Sequence, residues 1–147
     1  ITERSVFMKR EKERIIRSWF DMWLHKEDTD IQDLFEENAV YIESWGPEYH
    51  GAEKIKHWFY EWNTRGEVLK WDIKQFFHSE NQTIVFWFFE CAMKDGTKQS
   101  FDGISAITWS TNQKITKLQE YGCNIERYDP YANGENPVFR NEKSLWF

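Results

Sequence analysis

An α+β fold, with helices first and an antiparallel sheet after them, is what this chain of 147 residues predicts. Three observations carry that reading. Up to Trp62 apolar residues recur at three- and four-residue spacings with charged residues between them. From Gly66 onward the apolar runs are longer and rich in β-branched and aromatic residues. Asp95-Gly96 then lies between two of those runs as a hairpin turn. The length suits one domain with a substantial core.

Ser5 to Lys26 reads as the first helix, with Val6, Ile15, Ile16, Trp19, Phe20, Trp23 and Leu24 on its apolar stripe. Asp28 to Asp30 interrupts it, and Asp30 is placed to cap a short second helix from Ile31 to Glu36. Ala39 to Trp45 alternates as a strand and carries one carboxylate, Glu43, among aromatic neighbours. Gly46-Pro47 turns the chain, and Gly51 opens a third helix from Ala52 to Trp62 that buries Ile55, Trp58, Phe59 and Trp62. The strands expected next are Val68 to His78, Ile84 to Met93, Thr97 to Trp109 and Lys114 to Cys123. Ile84 to Met93 is apolar on both faces, as a central strand is. After Tyr128-Asp129-Pro130 the chain is polar and turn-rich. The expected organisation is one domain over 1–128 and a tail over 129–147 in which Leu145-Trp146-Phe147 is able to dock on the body or on a partner.

Composition narrows the function classes. The net charge is −6 and no run of Lys or Arg forms a phosphate-tracking stripe, which argues against a nucleic-acid partner. No apolar stretch approaches membrane-span length, so no membrane partner is expected. Cys91 and Cys123 have neither metal-ligand spacing nor the pattern of a disulfide framework, which fits a reduced, cytoplasmic protein. None of His25, His50, His57 and His78 pairs at the four-residue metal spacing, so no metal and no cofactor is expected. His50, beside the Gly51 turn, is the one histidine near the expected pocket mouth. Nine Trp, twelve Phe and six Tyr exceed what a small core needs, and point to an aromatic-lined cavity or a buried subunit contact. An acid held among such rings loses hydration, so Glu43 is expected to titrate high, toward the range of a general base.

The linked series Leu34-Phe35-Glu36-Glu37-Asn38-Ala39-Val40, Gly46-Pro47, Gly51 with Ile55, and Asn112-Gln113-Lys114-Ile115 resembles the nuclear transport factor 2-like superfamily. Ketosteroid isomerases and SnoaL-like polyketide cyclases belong to it. The resemblance covers roughly residues 10 to 128. It implies three N-terminal helices packed on a strongly curved antiparallel sheet that forms a cone-shaped pocket, a cystatin-like α+β barrel, often dimeric. Counted from Leu34-Phe35, Glu43 falls at the position of the isomerases' carboxylate base and Trp19 at that of their oxyanion-donating tyrosine. Counted back from Lys114-Ile115, Ser105 falls at that of their protonated aspartate. Both oxyanion donors are therefore changed in type, and steroid isomerisation is not expected.

The same count assigns strand faces. Phe101, Gly103 and Ser105 point inward; so, across the Asp95-Gly96 hairpin, do Phe86, Phe88, Glu90 and Ala92; and so do Leu118, Glu120 and Gly122 on the last strand. Trp19, Trp45, Phe86, Phe88, Glu90, Phe101, Ser105 and Leu118 are then the expected lining, with Glu43 and Glu120 as the catalytic pair. Three carboxylates, Glu43, Glu90 and Glu120, would share one aromatic cavity. Such a group either holds a proton between its members or attracts a cation. The outward set Val85, Trp87, Phe89 and Cys91 is too apolar for water, and predicts a homodimer through the outer sheet face. The function expected is a small-molecule pocket, either an acid–base enzyme of isomerase, cyclase, dehydratase or hydrolase type or a non-catalytic ligand-binding or dimerising domain.

Overall fold

The computed structural model describes residues 2–140. Helix α1 spans Glu3–His25, begun by Thr2, whose hydroxyl accepts from the Ser5 N–H at 3.1 Å, and ended by Lys26 in the left-handed region at φ 54°. Its buried stripe is Ile15, Ile16, Trp19, Phe20, Met22 and Trp23, close to the periodicity read from sequence. Helix α2 is a single turn, Ile31–Leu34. Asp30 makes no capping bond there; Asp28 accepts from the Ile31 N–H at 2.8 Å instead. Helix α3 spans Ala52–Arg65.

Six strands follow the order β2-β1-β6-β5-β4-β3 in one open sheet: β1 Phe35–Ile42, β2 Glu48–His50, β3 Gly66–Ser79, β4 Gln82–Met93, β5 Lys98–Trp109 and β6 Ile115–Asn124. The sheet is not wholly antiparallel as expected, because β1 runs parallel to β6. Strand β1 also begins at Phe35, which shortens the second helix, and β2 is an element the sequence reading did not anticipate. Irregular pairing between Val68 and Lys70 and between Ile73 and Gln75 adds bends to β3. The helices lie on the inner face, where Trp19, Phe20, Trp23, Phe35, Ile55 and Phe59 form the core with Val85, Trp87 and Leu118 from the sheet.

The register of β4 corrects the expected faces. The hairpin loop holds three residues, Lys94 to Gly96: Met93 N–H donates to the Thr97 carbonyl at 2.7 Å, and Gly96 has φ 93°. A two-residue Asp95-Gly96 loop would pair Phe86 with Ser105. The observed partners are Val85 with Ser105, Trp87 with Gly103 and Phe89 with Phe101. One additional loop residue turns every β4 side chain over. Val85, Trp87, Phe89 and Cys91 thus face inward, and Phe86, Phe88, Glu90 and Ala92 face outward. Phe86 is 41% exposed while Trp87 is 1% exposed. The inward assignments on β5 and β6 agree with the structure for Phe101, Gly103, Ser105, Leu118 and Glu120.

Candidate functional site

Strand β1 delivers the acid end of the site. Ala39 and Tyr41 point to the core, and the two-residue period carries Glu43, just past the strand, to the same side. A turn holds Glu43 there: its N–H donates to the Pro47 carbonyl at 2.9 Å, and its own carbonyl accepts from Gly46 at 3.1 Å. The chain then returns as β2, which sets Tyr49 opposite Tyr41. On the other flank Ile42 pairs with Gln119 in parallel register, so Glu43 comes alongside Glu120. Ser105 is the antiparallel partner of Glu120.

Each carboxylate takes one phenolic donor. Tyr49 Oη donates to Glu43 Oε2 at 2.7 Å, and Tyr41 Oη donates to Glu120 Oε2 at 2.9 Å. Both acids line a cavity of about 380 Å³, within the usual size range of ligand pockets. Among the described residues six tryptophans line it: Trp23, Trp45, Trp58, Trp62, Trp71 and Trp87. Phe89, Phe101, Cys91 and Met93 add apolar surface, and Asp95 stands at the hairpin as a third acid. Among the described lining residues Arg65 is the one basic side chain, and it is held in two hydrogen bonds by Glu61 at 2.7 and 2.9 Å.

Burial sets the protonation pattern. Glu120 keeps a limited opening onto the cavity but is otherwise surrounded by protein atoms. Loss of hydration, reinforced by the charge of Glu43, pushes its pKa up to about 8, against the pull of the Tyr41 hydrogen bond. Burial also raises Glu43, but Tyr49, Trp45 and the Arg65 charge all favour its ionised form. Of the two, Glu43 therefore ionises first. Tyr41 and Tyr49 are both raised, chiefly by burial, and remain hydrogen-bond donors. The Cys91 thiol is pushed up to about 11 by burial, which leaves it a weak nucleophile.

The expected site residues divide into three groups. Glu43, Glu120, Trp45 and Phe101 come together in the cavity. Trp19, Ser105 and Leu118 are fully buried behind it. Trp19 packs edge-on against Phe35 and Trp23 at 5.0 and 5.6 Å, with its indole N–H directed to the Tyr41 hydroxyl. Ser105 accepts from Trp87 Nε1 at 3.0 Å and so orients a lining ring. Phe86, Phe88 and Glu90 lie on the opposite sheet face, so the expected trio of glutamates is a pair. His50 is exposed and contacts Glu48 at 3.1 Å, away from the cavity. Among the described residues no group of three His, Cys, Asp or Glu could hold a metal ion, and no helix is long and apolar enough to cross a membrane.

Sequence reasoning missed Tyr41, Tyr49, Trp58, Trp62, Trp71, Trp87 and Phe89. Three of these were within reach. Tyr41 lies two residues before Glu43 on the same strand, and Trp58 and Trp62 are four apart on one helix face.

A helix-covered curved sheet that encloses an aromatic, acid-bearing cavity defines the class of small-molecule pocket proteins built on this fold. The SnoaL-like domain model matches residues 16–118, and the chain belongs to that family. A comparison with curated proteins finds no match. Among solved structures, a protein of ketosteroid isomerase-like fold from Catenulispora acidiphila DSM 44928, in complex with trimethylamine, is 17% identical with TM-score 0.65, covering 73% of this chain and 83% of that one. An LEH-like epoxide hydrolase of M. tuberculosis is 10% identical with TM-score 0.68, covering 78% and 84%. A nuclear transport factor 2-like protein of Burkholderia xenovorans LB400 is 16% identical with TM-score 0.66, covering 78% and 90%. At these identities the likeness is one of fold.

Proposed function

We propose that the cavity binds a small, partly apolar molecule and moves a proton on it, with Glu43 as general base and Glu120 as general acid. The observation that supports this most is the placement of two carboxyl groups in one aromatic cavity, in unequal surroundings. Glu43 meets three influences that favour its charge, and Glu120 meets one. Paired acids held in different surroundings divide the acid and base roles near neutral pH. Glu43 would take a proton from the substrate, while Glu120 would give one to the oxygen on which charge develops. That balance suits an isomerase, cyclase, dehydratase or hydrolase step. The strongly polarising oxyanion pair of the isomerases has no counterpart, since Trp19 and Ser105 are buried outside the cavity.

The test is a substrate screen followed by Glu43→Gln, an isosteric change that removes the base. Loss of about 10²- to 10⁴-fold in rate is expected, with a smaller loss in Glu120→Gln. An unchanged rate in Glu43→Gln removes the base assignment. A second reading, a non-catalytic ligand-binding or dimerising domain, is favoured by one observation: both carboxylates already accept from tyrosine hydroxyls. Ligand binding without turnover would select it. We also propose a homodimer. The face it would use is the outer row around Phe77, Phe86 and Tyr121, and not the inward-facing set first expected.

A further inference from the structure

We propose that the ligand carries a compact alkylammonium group, seated between the indole walls of the cavity and the carboxylates of Glu43 and Glu120. This deepens the reading of the cavity as a ligand site and does not depend on catalysis.

The argument starts from the walls. Indole gives the strongest cation–π attraction of any side chain. Trp58 stacks on Tyr49 at 4.4 Å and lies 4.9 Å from Tyr41, the two rings that hold the acids. From there the rings continue without a break: Trp23 is 4.9 Å from Trp58, Trp71 is 6.4 Å from Trp23, and Trp87 is 5.8 Å from Trp71. The paired acids therefore stand beside a wall that is largely aromatic. A neutral apolar ligand would leave the Glu43 carboxylate beside it with only the charge of Arg65, itself paired to Glu61, to balance it. An ammonium with methyl or methylene substituents meets both requirements, because its charge answers the acids and its alkyl surface answers the rings. Among the described lining residues Arg65 is the one basic side chain, and it is bonded to Glu61. Trp23 and Trp71 line the cavity and are more than nine-tenths buried, so these walls are held in place by the core.

The titratable groups that line the cavity with Glu120 set a pH signature. They are Glu43 and the two tyrosines from the β1–β2 side, Arg65 from the end of α3, Cys91 from β4 and Asp95 from the hairpin. Glu120 is protonated below about pH 8 in the empty protein. A cation beside it favours the ionised form, so binding releases a proton below that pH and affinity rises as pH climbs through it.

The experiment compares choline with its neutral carbon isostere, 3,3-dimethylbutan-1-ol, in which a quaternary carbon replaces nitrogen. Binding is read by tryptophan fluorescence and by calorimetry in buffers of different ionisation enthalpy. Choline is expected to bind about tenfold or more tightly than the isostere, with affinity that increases from pH 7 to 9 and proton release at the lower value. Glu120→Gln should lose the pH dependence and most of the preference. Trp45→Leu, at a ring that is 63% exposed and so not needed for folding, should weaken choline binding. Equal affinity for the isostere, or no choline binding to the folded protein at roughly millimolar concentration, overturns the inference and leaves the acid–base assignment standing. Choline binding together with full activity in Glu43→Gln does the reverse.

Discussion

At the scale of single residues, the cavity positions of Glu43 and Glu120 were legible because the strand period and the anchors at Leu34-Phe35 and Lys114-Ile115 fix their faces without reference to β4. Of their tyrosine partners, Tyr49 was not, since it depends on β2, a three-residue strand with too little pattern to read. The chemistry now has a pH consequence for stability. The pKa of Glu120 rises on folding from about 4.5 to about 8, so across that interval the folded state binds the additional proton. Stability therefore falls as pH rises through the window and levels off above it. With a discount for the opening onto the cavity, the loss is on the order of 2–4 kcal/mol. Melting curves from pH 5 to 9 should show it, and Glu120→Gln should flatten them. A wild-type melting temperature that climbs over this range would contradict the assignment. The same proton shapes any rate profile: activity should decline above about pH 8 as Glu120 ionises, and that limb should be missing in Glu120→Gln. Ser105 makes a different forecast. Ser105→Ala leaves the buried Trp87 N–H without an acceptor and should cost about 1–3 kcal/mol in denaturant unfolding.

At the scale of elements, helices and long strands were legible to within a few residues because their periods are long and regular. The face of β4 was not. Its run from Ile84 to Met93 is apolar on both sides, so the pattern holds no information on register, and the assignment rested on the hairpin. A loop of three residues instead of two then exchanged Trp87 for Phe86 and Phe89 for Phe88. The structure offers a signal that would have separated the two registers. Gly103 has no side chain because the Trp87 indole lies across it: a Cβ there would come within 2.3 Å of Trp87 Cη2 and 2.6 Å of the Tyr121 carbonyl. A glycine within a strand often marks such a close approach. Gly103→Ala should displace Trp87 and narrow the cavity. The expected result is a destabilisation of about 1–3 kcal/mol, with choline and isostere binding both weakened because the wall itself moves. A variant with unchanged stability and binding would show that Trp87 does not depend on this space.

At the scale of the whole molecule, an open sheet has two faces, and the helices cover only one. The outer face follows from the corrected register. Phe86, Ile104 and Tyr121 lie in one row across β4, β5 and β6, and Phe77 sits 5.6 Å from Phe86. Phe77, Phe86 and Tyr121 are 49%, 41% and 49% exposed. Monomers rarely leave a contiguous aromatic surface of this kind in water. A second copy of the chain would place the same row against itself, as a two-fold contact requires. The Lys74–Asp102 pair at 2.7 Å supplies charge near that row. The outward set on which the dimer expectation rested was misassigned, because the β4 strand is apolar on both sides and the side that lines the cavity was given to the surface. The expectation that Leu145-Trp146-Phe147 could cover this face concerns a segment outside the described residues, and the experiment separates the two. Light scattering at micromolar concentration should give twice the chain mass, and Phe86→Lys should give a monomer that retains the wild-type circular dichroism spectrum. A chain ended at Arg140 should keep the dimer mass if the sheet face carries the contact. A wild-type monomer at that concentration would remove the dimer, and a Phe86→Lys protein that stays dimeric would move the contact to another surface.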